Sequence, residues 1–336
     1  MNLFELTRKL IDISSVTGEE QLVGVFLKSH LEGLGYSVEL QQVEKSRCNV
    51  IATTGAPTRI VLSTHMDTVP PQIGSSEDDR FIYGRGACDA KGIIAAQIFA
   101  GEQLRTAGFR ELGLLFTVDE ELASLGAQVA NEHPLAEQCR YLINGEPTDN
   151  RLATGTKGSL RLSARTEGRA AHSAYPEQGE SAIEKMLDTL ASIRACVWPG
   201  DALFGDTTCN IGVIAGGTRP NVIPAEASAE LQIRLATGAG AVKQVLENAV
   251  AGRATLEYTS EHDPVRLHSV EGFDQCVVRF TTDIPYLARW GTPLLLGPGS
   301  ILDAHTEHER VAKSDLVGAV GLYVKLVGDL AGLNSA

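Results

Sequence analysis

Apolar residues recur along this chain in two periods, and the switching between them outlines the fold. Leu3, Leu6, Leu10 and Ile11 fall at helical spacing at the start of the sequence. Residues 19–34 carry a second stripe of Leu22, Val23, Phe26, Leu27 and Leu31, with Gly35 placed as a C-cap. Extended segments are expected near 37–43 and 48–53. The apolar, β-branched run Ile60-Val61-Leu62-Ser63-Thr64 then has the texture of a central strand covered on both faces. Segments 112–118 and 141–144 share that texture, and helices are expected between them at 90–106 and 124–131.

Each of these three strands ends on groups able to hold a metal. The first delivers His65, the second Asp119-Glu120-Glu121, the third Gly145-Glu146-Pro147. This is an alternating α/β domain with its chemistry at the carboxyl ends of strands, where open α/β sheets build sites.

From about 155 to 263 the texture changes to short alternating strands, such as Leu160–Ala164 and Glu230–Arg234, flanking two amphipathic helices. One helix carries Ile183, Met186, Leu187, Leu190 and Ile193 on a face, the other Val242, Val245, Leu246 and Ala249. The last part returns to the first pattern, with Leu294-Leu295-Leu296 as a strand and 314–331 as a helix capped by Ser314. An α+β domain at 156–263 is therefore expected to be inserted into a domain made of 1–155 and 264–336.

The chain of 336 residues, 43% hydrophobic, is long enough for about two such cores. A net charge of -13 with no basic stripe argues against nucleic acid as a partner. The N-terminus lacks the basic head and apolar run of a signal peptide, and no apolar stretch reaches the roughly 20 residues that span a bilayer. A cytoplasmic protein without membrane contact is expected. The six scattered cysteines suit reduced thiols, leaving histidines and carboxylates to bind any metal.

In His65-Met66-Asp67 the two polar residues share a strand face, so Asp67 can fix the tautomer of a metal-bound His65. Asp89, in Gly84-Arg85-Gly86-Ala87-Cys88-Asp89, stands at a loop-to-helix junction where it can cap the helix, bridge two cations, or do both. In Glu120-Glu121 two adjacent acids are costly without a cation, and one can bind metal while the other moves protons. Glu146 and, far along the chain, His305 complete a set of oxygen and nitrogen ligands suited to two zinc or cobalt ions.

The order and spacing of these motifs resemble the dinuclear zinc amidohydrolase family of acetylornithine deacetylase, succinyl-diaminopimelate desuccinylase, aminoacylase, dipeptidases and carboxypeptidase G. The resemblance spans essentially the whole chain. It implies a catalytic domain with a central mixed, mostly parallel sheet flanked by helices, and an inserted ferredoxin-like lid or dimerisation domain. It also implies two Zn2+ ions, replaceable by Co2+, held by His65, Asp89 as bridge, Glu121, Glu146 and His305. Asp67 becomes the orienting partner and Glu120 the general base.

In the inserted domain Gly168-Arg169-Ala170-Ala171-His172-Ser173 resembles the family segment whose histidine polarises the scissile carbonyl across a homodimer. A hinge is expected near 154–158 and 262–266. Asn221 and Arg234 are similar to residues that hold a substrate carboxylate, and Gly297 and Gly299 to a loop whose backbone N–H groups stay free near the substrate. Two positions depart from the family pattern. Gln232 replaces an acid before the arginine, and His308 stands where an acid usually follows the last ligand.

The Gly145-Glu146-Pro147-Thr148 turn is closest to the deacetylase and desuccinylase branch, so the resemblance implies hydrolysis of a small N-acyl amino acid. A di- or tripeptidase or carboxypeptidase is the alternative, and a catalytically silent metal-binding protein is the non-hydrolase reading.

Overall fold

The computed structural model describes residues 1–55 and 57–333. In chain order its main elements are α1 (Leu3–Asp12), α2 (Gln21–Gly33), β1 (Ser37–Glu44), β2 (Arg47–Thr53), β3 (Ile60–His65), α3 (Lys91–Thr106), β4 (Leu112–Thr117), α4 (Leu125–Ala130) and β5 (Tyr141–Asn144). There follow β6 (Gly158–Glu167), α5 (Ala182–Arg194), β7 (Thr208–Gly216), β8 (Glu226–Leu235), α6 (Ala239–Val250), β9 (Thr255–His262), β10 (Thr292–Leu295) and α7 (Lys313–Leu330). They form two compact units. One comprises Met1–Thr154, Leu267–Cys276 and the described chain from Thr282 onward; the other comprises Gly155–Arg266 and Val277–Thr281.

The first unit is built on a sheet in the order β1-β2-β4-β3-β5-β10. β3 runs parallel to both β4 and β5, and β5 parallel to β10, while β1 and β2 add an antiparallel edge. All six residues of β3 and of β4 are buried, as the unbroken apolar runs require. His65 is paired in register with Thr117, and Ser63 with Asn144, so the three strands deliver their next residues at one edge of the sheet. α3 packs against β3 and contacts α1 and α7. Gly145 permits this close seating, since a Cβ there would lie 2.4 Å from Ile93 and 2.6 Å from Gln97 of α3.

Local signals set most boundaries. α1 opens with a capping box in which Asn2 accepts from the Glu5 N–H and Glu5 accepts from the Asn2 N–H, both at 2.9 Å. α2 ends where Gly35 takes a positive φ of 93°. Three expectations fail. Leu22 and Leu187 are exposed, because the buried stripes of α2 and α5 run through Val23, Leu27 and Leu31, and through Ala182, Met186, Leu190 and Ile193. Ser314 is not the cap of α7; the helix starts one residue earlier, after Ala312, and the Ser314 hydroxyl bonds Asp315 instead.

The second unit follows the order β6-α5-β7-β8-α6-β9, with the four strands arranged β7-β8-β6-β9 and every neighbour antiparallel. That is the split βαβ arrangement of ferredoxin-like domains. Leu160, Leu162 and Ala164 of β6 and Leu231, Ile233 and Leu235 of β8 alternate inward onto Met186 and Leu190 of α5 and Val242 and Leu246 of α6. All six cysteines are unpaired. Among the described residues no helix is long and apolar enough to cross a membrane.

Candidate metal centre

Five segments, carrying His65, Asp89, Glu120-Glu121, Glu146 and His305, meet beyond the carboxyl ends of β3, β4 and β5. β3 ends on His65, and the Met66 N–H still donates to Thr117 O, so the next turn begins from a fixed point. Asp119 follows β4 with a positive φ of 72°, and its carbonyl accepts the N–H groups of Ala123 and Ser124 to close a tight turn around Glu120 and Glu121. Asp67 ties the two segments together. Its Oδ1 accepts the Glu120 N–H at 3.1 Å, and its Oδ2 accepts the Glu121 N–H at 3.2 Å and the Thr17 hydroxyl at 2.8 Å.

The side chains then converge. His65 Nε2 lies 2.9 Å from Asp89 Oδ1 and 4.0 Å from Glu146 Oε2. His305 Nε2 lies 3.0 Å from Glu121 Oε1 and 3.3 Å from Asp89 Oδ2. Asp89 thus touches both histidines, one with each oxygen. His65, Asp89 and Glu121 each offer a ligand atom, all within 4.8 Å of one another. On its other side, His65 Nδ1 is 3.0 Å from the Asp67 carbonyl and 3.5 Å from the Asp67 carboxylate. The backbone oxygen is the closer partner that fixes the ring, and the Asp67 carboxylate chiefly holds the Glu120-Glu121 turn.

The donor set fits divalent cations. Asp67, Asp89, Glu146 and Asp283 are buried, Glu120 and Glu121 nearly so, and against these six acids stand the two histidines. Glu146 Oε1 is buried with no hydrogen-bond partner among the described residues, an expensive state for a carboxylate oxygen unless a cation meets it. Burial pushes the Glu120, Glu121 and Glu146 carboxyls above their ordinary range, the Glu146 charge raising Glu120 further. Burial would also raise Asp89, but the hydrogen bonds from His305 and His65 outweigh it and hold Asp89 below the usual carboxylate range. Asp89 and Glu121 in turn push His305 up to about 10. Imidazole nitrogens and carboxylate oxygens at such spacing are the donors that zinc and its neighbours prefer.

A supporting layer was not legible in the sequence. Glu309, buried, accepts the N–H groups of Cys88 at 3.3 Å and Asp89 at 3.2 Å through Oε1, and its Oε2 pairs with Arg85 Nη1 at 2.7 Å. The acid sought at position 308 is therefore present one residue later, while His308 is exposed. Arg47 bonds Asp119 at 2.6 Å and Glu20 at 2.7 Å, bracing the turn that carries Glu120 and Glu121. Asp283 accepts the Thr117 hydroxyl at 2.7 Å, and burial pushes its carboxyl up to about 6. Asp89 does not cap α3, whose N-cap is Ala90 without a side-chain bond.

The glycine loop is used differently from expectation. The Gly297 N–H is not free but donates to the Thr148 hydroxyl at 3.0 Å, and a Cβ at Gly297 would lie 2.5 Å from Glu146 O. Gly299, at φ +84°, would place a Cβ 2.6 Å from that of Cys88. Both glycines let this loop seat directly on the Glu146 turn and the Cys88-Asp89 segment.

In the second unit, residues 171–172 pair with 222–223, and the Ser173 N–H donates to Asn221 O, which sets His172 beside Asn221. His172 is exposed, and its Nδ1 accepts the Ala174 N–H at 3.1 Å, so a neutral ring carries its proton on Nε2. Arg234 is half-buried in β8 with no ion-pair partner among the described residues, and burial lowers its pKa. Gln232 bonds Arg161 at 2.7 Å and Ser159 at 2.8 Å.

A family profile described as "Peptidase family M20/M25/M40" matches residues 61–329. A peptidase M20 domain-containing protein of Schizosaccharomyces pombe is 38% identical over 338 residues, covering 97% of this chain and 84% of that protein. A probable carboxypeptidase of Aspergillus terreus is 36% identical, covering 95% of this chain and 84% of its own. Among solved structures, aminopeptidase PepT from Bacillus cereus superposes with a TM-score of 0.80 at 21% identity, covering 98% of both chains.

Proposed function

Since this chain belongs to the M20/M25/M40 peptidase family and is a metallohydrolase, we propose that it hydrolyses the amide bond joining a small acyl or aminoacyl group to an amino acid with a free carboxylate. The observation that carries this reading is the convergence of His65, Asp89, Glu121 and His305, with the orphaned oxygen of Glu146, beside the Glu120 turn. Those five residues would hold two metal ions, with Zn2+ the best match to the donors and Co2+ able to replace it. Bound there, such ions supply Lewis acidity and bring the pKa of water down to about 7.

The chain's own groups do the rest. Glu120, held through its N–H by Asp67, takes the proton of the attacking water and returns it to the departing amine. His172 offers Nε2–H to the carbonyl oxygen as charge develops there. Arg234, with no acidic partner among the described residues, takes the substrate carboxylate, with Asn221 assisting beside His172. If His172 acts across a homodimer, mixing His172→Ala with Glu120→Gln protein restores activity that neither has alone; no restoration places His172 in its own subunit's site.

Two substrate classes fit, each with its own support. The glutamate at 146 resembles the deacylase branch and favours N-acyl amino acids, whereas the relatives named probable carboxypeptidase favour short peptides. A panel of N-acetyl amino acids, dipeptides and tripeptides, each with a free and an amidated C-terminus, separates them. We expect turnover only where the C-terminal carboxylate is free. Turnover indifferent to amidation but dependent on a free amino terminus contradicts the proposal.

A further inference from the structure

The opposite end of the same sheet carries a cavity lined by groups unlike those of the metal centre. A cavity of about 610 Å³ opens where β3, β4 and β5 begin, lined on its charged side by Arg59, Arg110, Arg140 and Glu111. Arg59 pairs with Glu111 at 3.1 Å, and Arg110 Nη1 donates to the Arg105 carbonyl at 2.6 Å. Arg110 has no carboxylate partner among the described residues, and the Arg140 side chain has no hydrogen bond or ion pair there at all.

The arginines exceed what the local structure needs. Besides Glu111, the negative features among the described lining residues are the C-terminal ends of α3 and α7, each worth roughly half a charge. Among the described residues, three guanidiniums against one carboxylate and two helix ends leave about one positive charge, in a chain whose net charge is -13. The apolar lining includes Leu104, Phe109 and Leu330, and Gly108 at φ +96° has nothing within 4 Å of where a Cβ would be.

We propose that this cavity binds a small organic anion, with a carboxylate or phosphate head on Arg110 and Arg140 and an apolar body against Leu104, Phe109 and Leu330. A guanidinium fork matches either head in a bidentate manner, and the volume lies within the range of small-molecule sites. The site is separate from the metal centre. β3 enters the cavity at Ile60 and reaches the metal centre at His65, five steps of about 3.3 Å, or roughly 16 Å away. This inference does not depend on which amide the enzyme cleaves.

Isothermal titration of the metal-loaded protein with hexanoate, hexyl phosphate, inorganic phosphate and hexanol tests it. One or both hexyl anions should bind saturably, and the better of the two identifies the head group. Arg140→Ala should weaken that binding about ten- to a hundredfold, the size of one charge-assisted hydrogen bond. Glu111→Gln, which frees Arg59, should tighten it. Both positions are partly or fully exposed, and circular dichroism with zinc content checks that the variants are folded. The proposal is overturned if neither hexyl anion binds or if hexanol or inorganic phosphate binds as tightly. It is equally overturned if binding survives both Arg110→Ala and Arg140→Ala unchanged.

Discussion

Replacing Glu309 with glutamine changes one charge and almost no volume, at a position that touches no proposed ligand side chain. Glu309 and Arg85 are 1% and 2% exposed and meet at 2.7 Å, so the substitution leaves a buried guanidinium without its counter-charge. Breaking a buried pair from one side costs about 3–5 kcal/mol. Arg85 keeps two carbonyl acceptors, Thr306 O at 3.1 Å and Pro71 O at 3.3 Å, so the low end, about 3 kcal/mol, is expected. The same change weakens the acceptor of the Cys88 and Asp89 N–H groups. Loosening an outer partner of a ligand lowers metal affinity by about 10- to 100-fold. The chain has two tryptophans, Trp198 in the second unit and Trp290, fully buried, in the first. In a Trp198→Phe background, urea unfolding followed by Trp290 fluorescence therefore reports the first unit. A Glu309→Gln loss below about 1 kcal/mol with unchanged zinc affinity refutes the reasoning, as does simple additivity with Arg85→Met in a double-mutant cycle.

Glu120→Gln should lower kcat by about 10²- to 10⁴-fold while metal content, read by elemental analysis, stays unchanged. Arg47→Met strands Glu20 and Asp119 as buried acids and should cost about 3–5 kcal/mol in urea unfolding while also weakening metal binding, because the Glu120-Glu121 turn loses its brace. Arg234→Ala should raise KM by about ten- to a hundredfold with little change in kcat; an equal fall in kcat would show that Arg234 acts elsewhere in the cycle.

The sheet was legible because its central strands are short, continuously apolar and end on polar groups, so β3, β4 and β5 announced both their burial and their shared edge. The helical faces were less so. A stripe of apolar residues does not say how wide the packed surface is, and Leu22 and Leu187 lie just outside it. In the second unit α5 was visible from Met186 and Leu190 for the same reason that Leu187 misled. The side chains that converge at the candidate metal centre were singled out as strand-end acids and histidines and through a family resemblance. Their supports were not found, because Glu309 with Arg85, Arg47 with Asp119, and Thr117 with Asp283 pair across 224, 72 and 166 positions of sequence. The one local hint was an arginine set between Gly84 and Gly86, in a turn with no exposed role for a charge. Gly297 was misjudged because a glycine that leaves room for a neighbouring backbone looks, in sequence, like one that leaves an N–H free.

In the proposed mechanism His65, Asp89, Glu121, Glu146 and His305 together hold the ions on which hydrolysis depends. Stripping the protein with a chelator and titrating zinc back, with bound metal and amide hydrolysis measured on the same samples, tests it directly. Activity should be absent at the start, rise with added zinc and level off at two bound ions per chain, and Glu146→Ala should lower that number. Full activity in the stripped protein, or a plateau unaffected by Glu146→Ala, would contradict the account.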